Sequence, residues 1–375
     1  MGPLKGIKVI QLGGIGPVPL TCMMLADMGA DVLRIDPPGA RTFHTMGIHS
    51  RGTRSMVLDL KKPRAAAIVL KLVEGADVLI EGNRPGVAER LGVGPDECRA
   101  RNPRLIYGRL TSYGQTGELA MRPAHDINAV AMSGVLHALG PAGQPPQPPQ
   151  ALVGDFGGGG MTMLAGVLAA LVETSRSGLG QVIDCSMADG AALLGAYLFE
   201  MHSRGTLPPR GTGMLDGAAP YFSTYETADG KYVAVGANEP WYYEDLLKLL
   251  GLAPEEIAPQ KDETQWPRLK ARVAAVFKTR TRDQWCAVFA EHPNCFAPVL
   301  APGEVADDPH HRSRGSFFER DGILQPAPAP RFSRTPSEAG PLRRRMGEHA
   351  EQVLSEAGFS AADIADLRAD GTLVD

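Results

Sequence analysis

The sequence predicts an α/β protein: a large Rossmann-like domain built on a parallel sheet, followed by a smaller α+β domain. Three observations carry this. From Lys8 to Met201 short apolar strand segments alternate with helical ones, the order that lays parallel strands beneath covering helices. Beyond Arg204 the texture changes to a loop rich in Gly and Pro and then to a hairpin pattern. The chain has 375 residues, 43% hydrophobic and 21% charged, enough for two or three globular cores. The expected domain limits are 1–203 for the large unit, 204–325 for the small one with its linkers, and 326–375 for a segment returning to the first.

In order, residues 8–12 read as a strand, 13–19 as a turn-rich loop, 21–28 as a helix and 31–35 as a second strand. A helix follows at 64–74, a strand at 77–80, a helical turn at 87–91 and a strand at 104–110. Residues 141–149, Pro-Ala-Gly-Gln-Pro-Pro-Gln-Pro-Pro, cannot be helix interior and read as a surface connector. The four glycines Gly157, Gly158, Gly159 and Gly160 read as a loop feeding a helix from Met161, with its first-turn N–H groups open to an oxyanion. A strand at 181–185 and a long apolar helix at 188–201 end the large unit. In the small unit, strands at 221–227 and 231–236 form a hairpin across Ala228-Asp-Gly230. Helices at 241–250, 265–277 and 282–290 and strands at 296–300 and 316–320 complete it. Two short amphipathic helices, 348–357 and 361–367, lie in a segment too small to fold alone, so it should pack back on the first unit.

Composition excludes several functions. A net charge of −4 gives no electrostatic reason to expect nucleic acid or a membrane surface. Cys22, Cys98, Cys185, Cys286 and Cys295 are odd in number and lack C-x-x-C spacing, which argues for a reduced cytoplasm. His310-His311 has no further ligands at metal spacing, so no metal is expected. The N-terminus enters a strand pattern at once and does not read as a signal peptide. No window offers the roughly 18 uninterrupted apolar residues that span a bilayer. Gly13-Gly-Ile-Gly16 with Asp36 downstream invites a dinucleotide reading, but Pro19 replaces the third glycine, and a plain strand-to-helix turn is the better account.

The chemistry concentrates around Arg122-Pro-Ala-His125-Asp126-Ile-Asn128 and Gly154-Asp155-Phe156. Histidine exchanges protons near neutrality. Asp155 is either a turn aspartate or a second base, and four glycines beyond it exceed what a turn needs. A histidine and a carboxylate on separate segments read as a two-base proton-transfer site. Glu239, before Pro240 at a helix start, is either a surface glutamate favoured by the helix dipole or a carboxylate that fixes a histidine tautomer. Arg34, Arg41, Arg51, Arg54, the Asp59-Leu-Lys61 turn, Gly82-Asn-Arg84 and Arg90 are candidates for an anion site that suits a diphosphate and a ribose phosphate.

Together these segments resemble the family III CoA-transferase superfamily, and within it the α-methylacyl-CoA racemases. The resemblance spans nearly the whole chain, from Pro3-Leu-Lys-Gly-Ile-Lys-Val-Ile to Pro330-Arg-Phe-Ser-Arg334. Its most specific pieces are His125-Asp-Ile-Asn128, Gly154-Asp-Phe-Gly-Gly-Gly159 and Gly236-Ala-Asn-Glu-Pro240. It implies an interlocked homodimer with each active site formed where the large domain of one subunit meets the small domain of the other. It further implies that His125 and Asp155 are the catalytic bases and that Glu239 pairs with the histidine. The implied CoA contacts are Leu58, Asp59, Leu60, Lys61, Gly82, Asn83, Arg84, Arg90, Ala124, Asp126, Ile127, Asn128 and Ala129. The implied reaction interconverts (2R)- and (2S)-2-methylacyl-CoA through an enolate, with CoA as part of the substrate and no metal, flavin or nicotinamide. The chain departs from the family at Ala124 (usually Gly), Ala129 (usually Tyr), Pro37 (an arginine that binds a CoA phosphate) and Ala151 (an asparagine); Arg34 or Arg41 is expected to take over that phosphate. The rival within the family is a CoA-transferase in which Asp155 attacks the thioester, and His125 argues against it. A rival of another class is a non-catalytic acyl-CoA-binding protein, against which the presence of His, Asp and Glu together argues.

Overall fold

A computed structural model describes residues 2–40, 46–253, 256 and 259–374. The chain divides into two compact units, the first comprising 1–135, 148–196 and 319–375, the second 136–147 and 197–318. The last segment therefore belongs with the first unit. The proline-rich connector belongs with the second as far as Gln147, where Arg210 donates to the carbonyls of His137 (2.9 Å) and Gln144 (2.5 Å). Arg41 lies outside the described residues.

The first unit is organised by β1 (Lys8–Leu12), β2 (Asp31–Asp36), β3 (Thr53–Leu58), β4 (Val78–Glu81), β5 (Ile106–Thr111) and β6 (Val182–Ser186), with the C-terminal strand Leu373–Val374 at one edge. From that edge the order is C-terminal strand, β3, β2, β1, β4, β5, β6. Every pairing is parallel except that of the C-terminal strand with β3. Alternate side chains feed two cores, Ile10, Leu33, Leu79 and Tyr107 on one face and Val9, Val32, Val78 and Ile106 on the other, as the two-residue period of a strand requires. Strand order reverses between β1 and β4, and in such sheets ligands enter the crevice beyond the carboxyl ends at that point.

β3 and the helix Pro95–Arg101 are among the elements of this unit that were not foreseen, as are the helix Asp126–Met132 and the C-terminal strand. β3 opens with Thr-Arg-Ser, polar residues that mask a strand until their partners are known. Thr53 donates to the Ser50 carbonyl, Arg54 to Asp31 and Glu356, and Ser55 accepts the Gly347 N–H. The helix Pro95–Arg101 carries Pro at its start, acids in its first turn and arginines in its last, favourable signals that a short segment makes easy to overlook.

The glycine run forms no loop. Leu152–Met161 is a π-helix that continues without a break into the α-helix Thr162–Ser177. A Cβ on Gly158 would stand 2.6 Å from the Ala191 nitrogen, and one on Gly159 would stand 3.1 Å from both Pro17 and Met187. The glycines let this helix approach the Met187–Leu194 helix and the Pro17–Asp27 helix backbone to backbone. By length and mean apolar composition alone Leu152–Ser177 would suffice to cross a membrane, although Asp155, Glu173 and Arg176 interrupt it. Met163, Leu164, Val167 and Ala170 are buried in the core beneath β5 and β6. The long helix expected at 188–201 is instead two, Met187–Leu194 and Ala196–Ser203, broken at Gly195, where a Cβ would stand 2.5 Å from Val135.

The second unit is an antiparallel sheet of β7 (Phe222–Glu226), β8 (Tyr232–Gly236) and β9 (Phe296–Val299) in that order. Helices Pro240–Leu249, Trp266–Phe277 and Arg282–Phe289 supply Tyr243, Trp266, Phe277, Trp285 and Phe289 to an aromatic core with Tyr221 and Tyr225.

Candidate active site

Beyond the carboxyl ends of β1, β4 and β5 the first unit encloses a cavity of about 370 Å³. It lies where the strand order predicts a ligand crevice. Arg84 follows β4, Ser112 and Arg122 follow β5, and His125, Asn128 and Asp155 add to the polar lining.

His125 is the N-cap of the helix Asp126–Met132, in extended conformation (φ −121°, ψ 179°). Its backbone N–H donates to Asn128 Oδ1 at 3.1 Å, closing the helix start and leaving an exposed imidazole beside the cavity. Asp155 arrives from the π-helix. One Asp126 carboxylate oxygen accepts the N–H of Gly154 (2.7 Å) and of Asp155 (2.8 Å). On the other side Gly16 (φ +61°) lies against the Asp155 carboxylate, which would stand 2.5 Å from a Cβ there. Only glycine fits that backbone and that space. Burial pushes the Asp155 carboxyl up to about 6, the nearby Asp126 charge adds to the rise, and His125 partly offsets it. The group therefore exchanges a proton close to neutrality.

Beneath the cavity lies a network that sequence reasoning missed. Glu81 at the end of β4 is fully buried; one oxygen accepts the Asn83 N–H (2.6 Å) and the other the Arg109 Nε–H (3.1 Å). Arg109 in turn grips Glu89. Burial raises the Glu81 carboxyl while the Asn83 N–H and Arg109 hold it down. Glu81 and Arg109 face each other in register on β4 and β5, and opposite charges in adjacent apolar strands were the available signal.

The expected ligand contacts divide sharply. Gly82, Arg84, Ala124, His125, Asn128 and Asp155 share the cavity lining. Asn83 is fixed beside it, while Arg90 and Ile127 are exposed on their helices. Leu58 is fully buried at the end of β3; Asp59, Leu60 and an exposed Lys61 form the turn after it, where Asp59 accepts the Lys61 N–H at 3.1 Å. Ala129 is buried in the core and Asp126 is turned toward the Asp155 backbone, so neither side chain is placed as a surface ligand contact. Arg34 is 3% exposed, grips Asp36 at 2.8 and 2.9 Å and donates to the Gly14 carbonyl. It is committed inside the fold and offers nothing to a phosphate. Arg51 is likewise spent on Asp27 and the Pro326 carbonyl, and Arg54 on Asp31 and Glu356 near the amino ends of the strands. Asp36 is itself 1% exposed, which closes the position a dinucleotide ribose would use. Glu239, in the second unit, is the half-buried N-cap of the Pro240–Leu249 helix. Among the described residues no cluster of three or more metal-ligating side chains occurs.

A parallel α/β sheet of this order with a cavity at its switch point defines a Rossmann-like α/β protein, and the chain belongs to CoA-transferase family III, whose pattern it matches over residues 4–350. It is 44% identical to human alpha-methylacyl-CoA racemase over 98% of this chain and 96% of that one, and 43% identical to the mouse protein over the same shares. Among solved structures, a CaiB/BaiF family protein from Brucella suis superposes with a TM-score of 0.85 at 25% identity, covering 95% of this chain and 99% of that chain.

Proposed function

We propose that this protein is a racemase that interconverts the epimers of 2-methylacyl-CoA thioesters, with His125 and Asp155 as its two bases. The observation that carries the reading is that both side chains reach one cavity from separate segments, at the switch point of the sheet. The 44% identity to alpha-methylacyl-CoA racemase supports the same substrate class.

The α-carbon of a thioester is acidic because its carbanion delocalises onto the carbonyl oxygen. One base takes the α-proton, a planar enolate forms, and the conjugate acid of the other base delivers a proton to the opposite face. The first base ends protonated and the second deprotonated; exchange with water or the reverse turnover resets them. An imidazole and a carboxyl that titrates at about 6 both suit proton transfer near neutral pH. The glycine-run amides are bonded within their helix, so the oxyanion role expected for them is not part of this proposal. Arg84 and Arg90, with Lys61, are read as the contacts for CoA phosphates. Metal, flavin and nicotinamide have no place in this scheme, because the thioester itself stabilises the carbanion.

In this reading the protein acts as an interlocked homodimer in which Glu239 of one subunit holds the second ring nitrogen of His125 in the other. A covered surface would suit Leu193 and Leu194, adjacent apolar side chains that are 70% and 59% exposed on one helix.

The test is to incubate one epimer of a 2-methylacyl-CoA with the protein in D₂O. Deuterium at the α-carbon with loss of stereochemical purity is the expected result. CoA transfer to an added carboxylate without exchange would place the protein with the transferases, and the absence of both would leave a binding role.

A further inference from the structure

We propose that Asp126 is the positioning residue of the base pair, fixing Asp155 through two backbone amides while its own main chain continues directly from His125. This rests on the two-base reading of the cavity. Asp126 is 8% exposed, and its Oδ1 takes the N–H groups of Gly154 and Asp155 at 2.7 and 2.8 Å. Those two amides open the π-helix, so one oxygen supplies the acceptors that the helix start lacks. The fit excludes anything larger than glycine at position 154, where a Cβ would stand 2.6 Å from Asp126 Oδ1 and 2.9 Å from Val130. Asp126 is also the first residue of the helix that His125 caps. One side chain therefore ties the segment that carries one base to the segment that carries the other.

The same carboxylate acts electrostatically. The charged groups facing Asp155 are Asp126, which raises its proton affinity, and His125, which lowers it. The other elements packed on the π-helix bring Pro17 and Leu20, Met187 and the Ala191 backbone, and His49, whose ring meets Phe156 edge-on at 5.5 Å. Asp126 is thus the only carboxylate among the described residues that acts on Asp155 from this shell.

Asp126→Asn keeps an oxygen for both amides and removes the charge; Asp126→Ala removes both. In the full-length protein, ¹³C-carboxyl NMR of Asp155, assigned with Asp155→Asn, should show its titration midpoint falling by on the order of one pH unit in Asp126→Asn. An unmoved midpoint would overturn the electrostatic half of the proposal whether or not the protein is a racemase. In α-proton exchange, Asp126→Ala should lose about 100-fold in kcat with little change in KM, the cost of misplacing a base, and Asp126→Asn should recover most of that loss with its acid limb moved to lower pH. Exchange by Asp126→Ala at the wild-type rate would overturn the positioning role. If the wild-type protein exchanges no proton, the racemase reading fails, and the NMR titration still decides the role of Asp126.

Discussion

Gly190 packs against Gly158 so closely that a Cβ on Gly190 would overlap the Gly158 carbonyl. This contact joins the Met187–Leu194 helix to the π-helix that delivers Asp155, so helix packing and site geometry share one constraint. Gly190→Ala should therefore lower the free energy of unfolding by about 1–3 kcal/mol, the usual cost of overpacking, and should slow exchange as the π-helix shifts. Urea denaturation compared with the exchange rate checks this; a variant with wild-type stability and activity would show that the two helices can separate freely.

The raised proton affinity of Asp155 has a stability consequence of definite sign. Its carboxyl titrates at about 6 in the folded chain against an ordinary aspartate value of 3.8. At low pH both states are protonated and the group is neutral in effect; as the pH rises from 3.8 through about 6 the unfolded chain ionises first and native stability falls. Asp155→Asn, neutral throughout, should be inactive yet more stable than the parent above pH 6, by on the order of 1–2 kcal/mol. The difference should shrink toward pH 4. Denaturation curves at the two ends of that range give the comparison, and an Asp155→Asn chain less stable at high pH would reverse the argument.

Arginines that look alike in the sequence separate in the structure. Arg84 faces the cavity from an exposed loop, whereas Arg34 is sealed against Asp36. Arg84→Ala should raise KM for an acyl-CoA by on the order of tenfold with kcat nearly unchanged, the signature of a lost binding contact. Arg34→Met should leave KM alone but cost about 3 kcal/mol of stability, since it leaves the buried Asp36 carboxylate with only the longer Arg343 contact at 3.8 Å. Steady-state kinetics beside thermal denaturation separate the two, and a KM effect at Arg34 would restore it as a ligand contact.

What the sequence conceals is contact at a distance. β1, β2 and β4 are legible because apolar runs between turn residues have few alternatives, and His125 is legible because a proline two residues before it marks the start of a segment. β3 is hidden because Thr53, Arg54 and Ser55 find their partners at Ser50, Asp31, Glu356 and Gly347. Glycine propensity makes the run at 157–160 look like a loop, and only the backbone of Gly190 and Ala191 reveals why a helix needs it. Asp126 resembles a surface contact until the amide of Asp155, on a distant segment, is seen to end on it.

The role of Glu239 is open to genetic separation of the two units. Glu239 caps a helix of the second unit, while His125 lines the cavity of the first. If the glutamate serves the histidine of a partner subunit, His125→Ala and Glu239→Ala should each abolish or severely reduce exchange when expressed alone. Co-expressed, they form hybrid dimers in which one site carries both changes and the other carries neither. With random pairing about half the dimers are hybrids with one intact site each, so a twofold-symmetric assembly should regain about a quarter of wild-type activity. If Glu239 instead serves the histidine of its own chain, every site in every hybrid carries one lesion and no activity returns. Purifying the hybrid through two different affinity tags, which should raise the recovered activity to about half, and measuring deuterium incorporation distinguishes these outcomes, with the oligomeric state read from the same preparation.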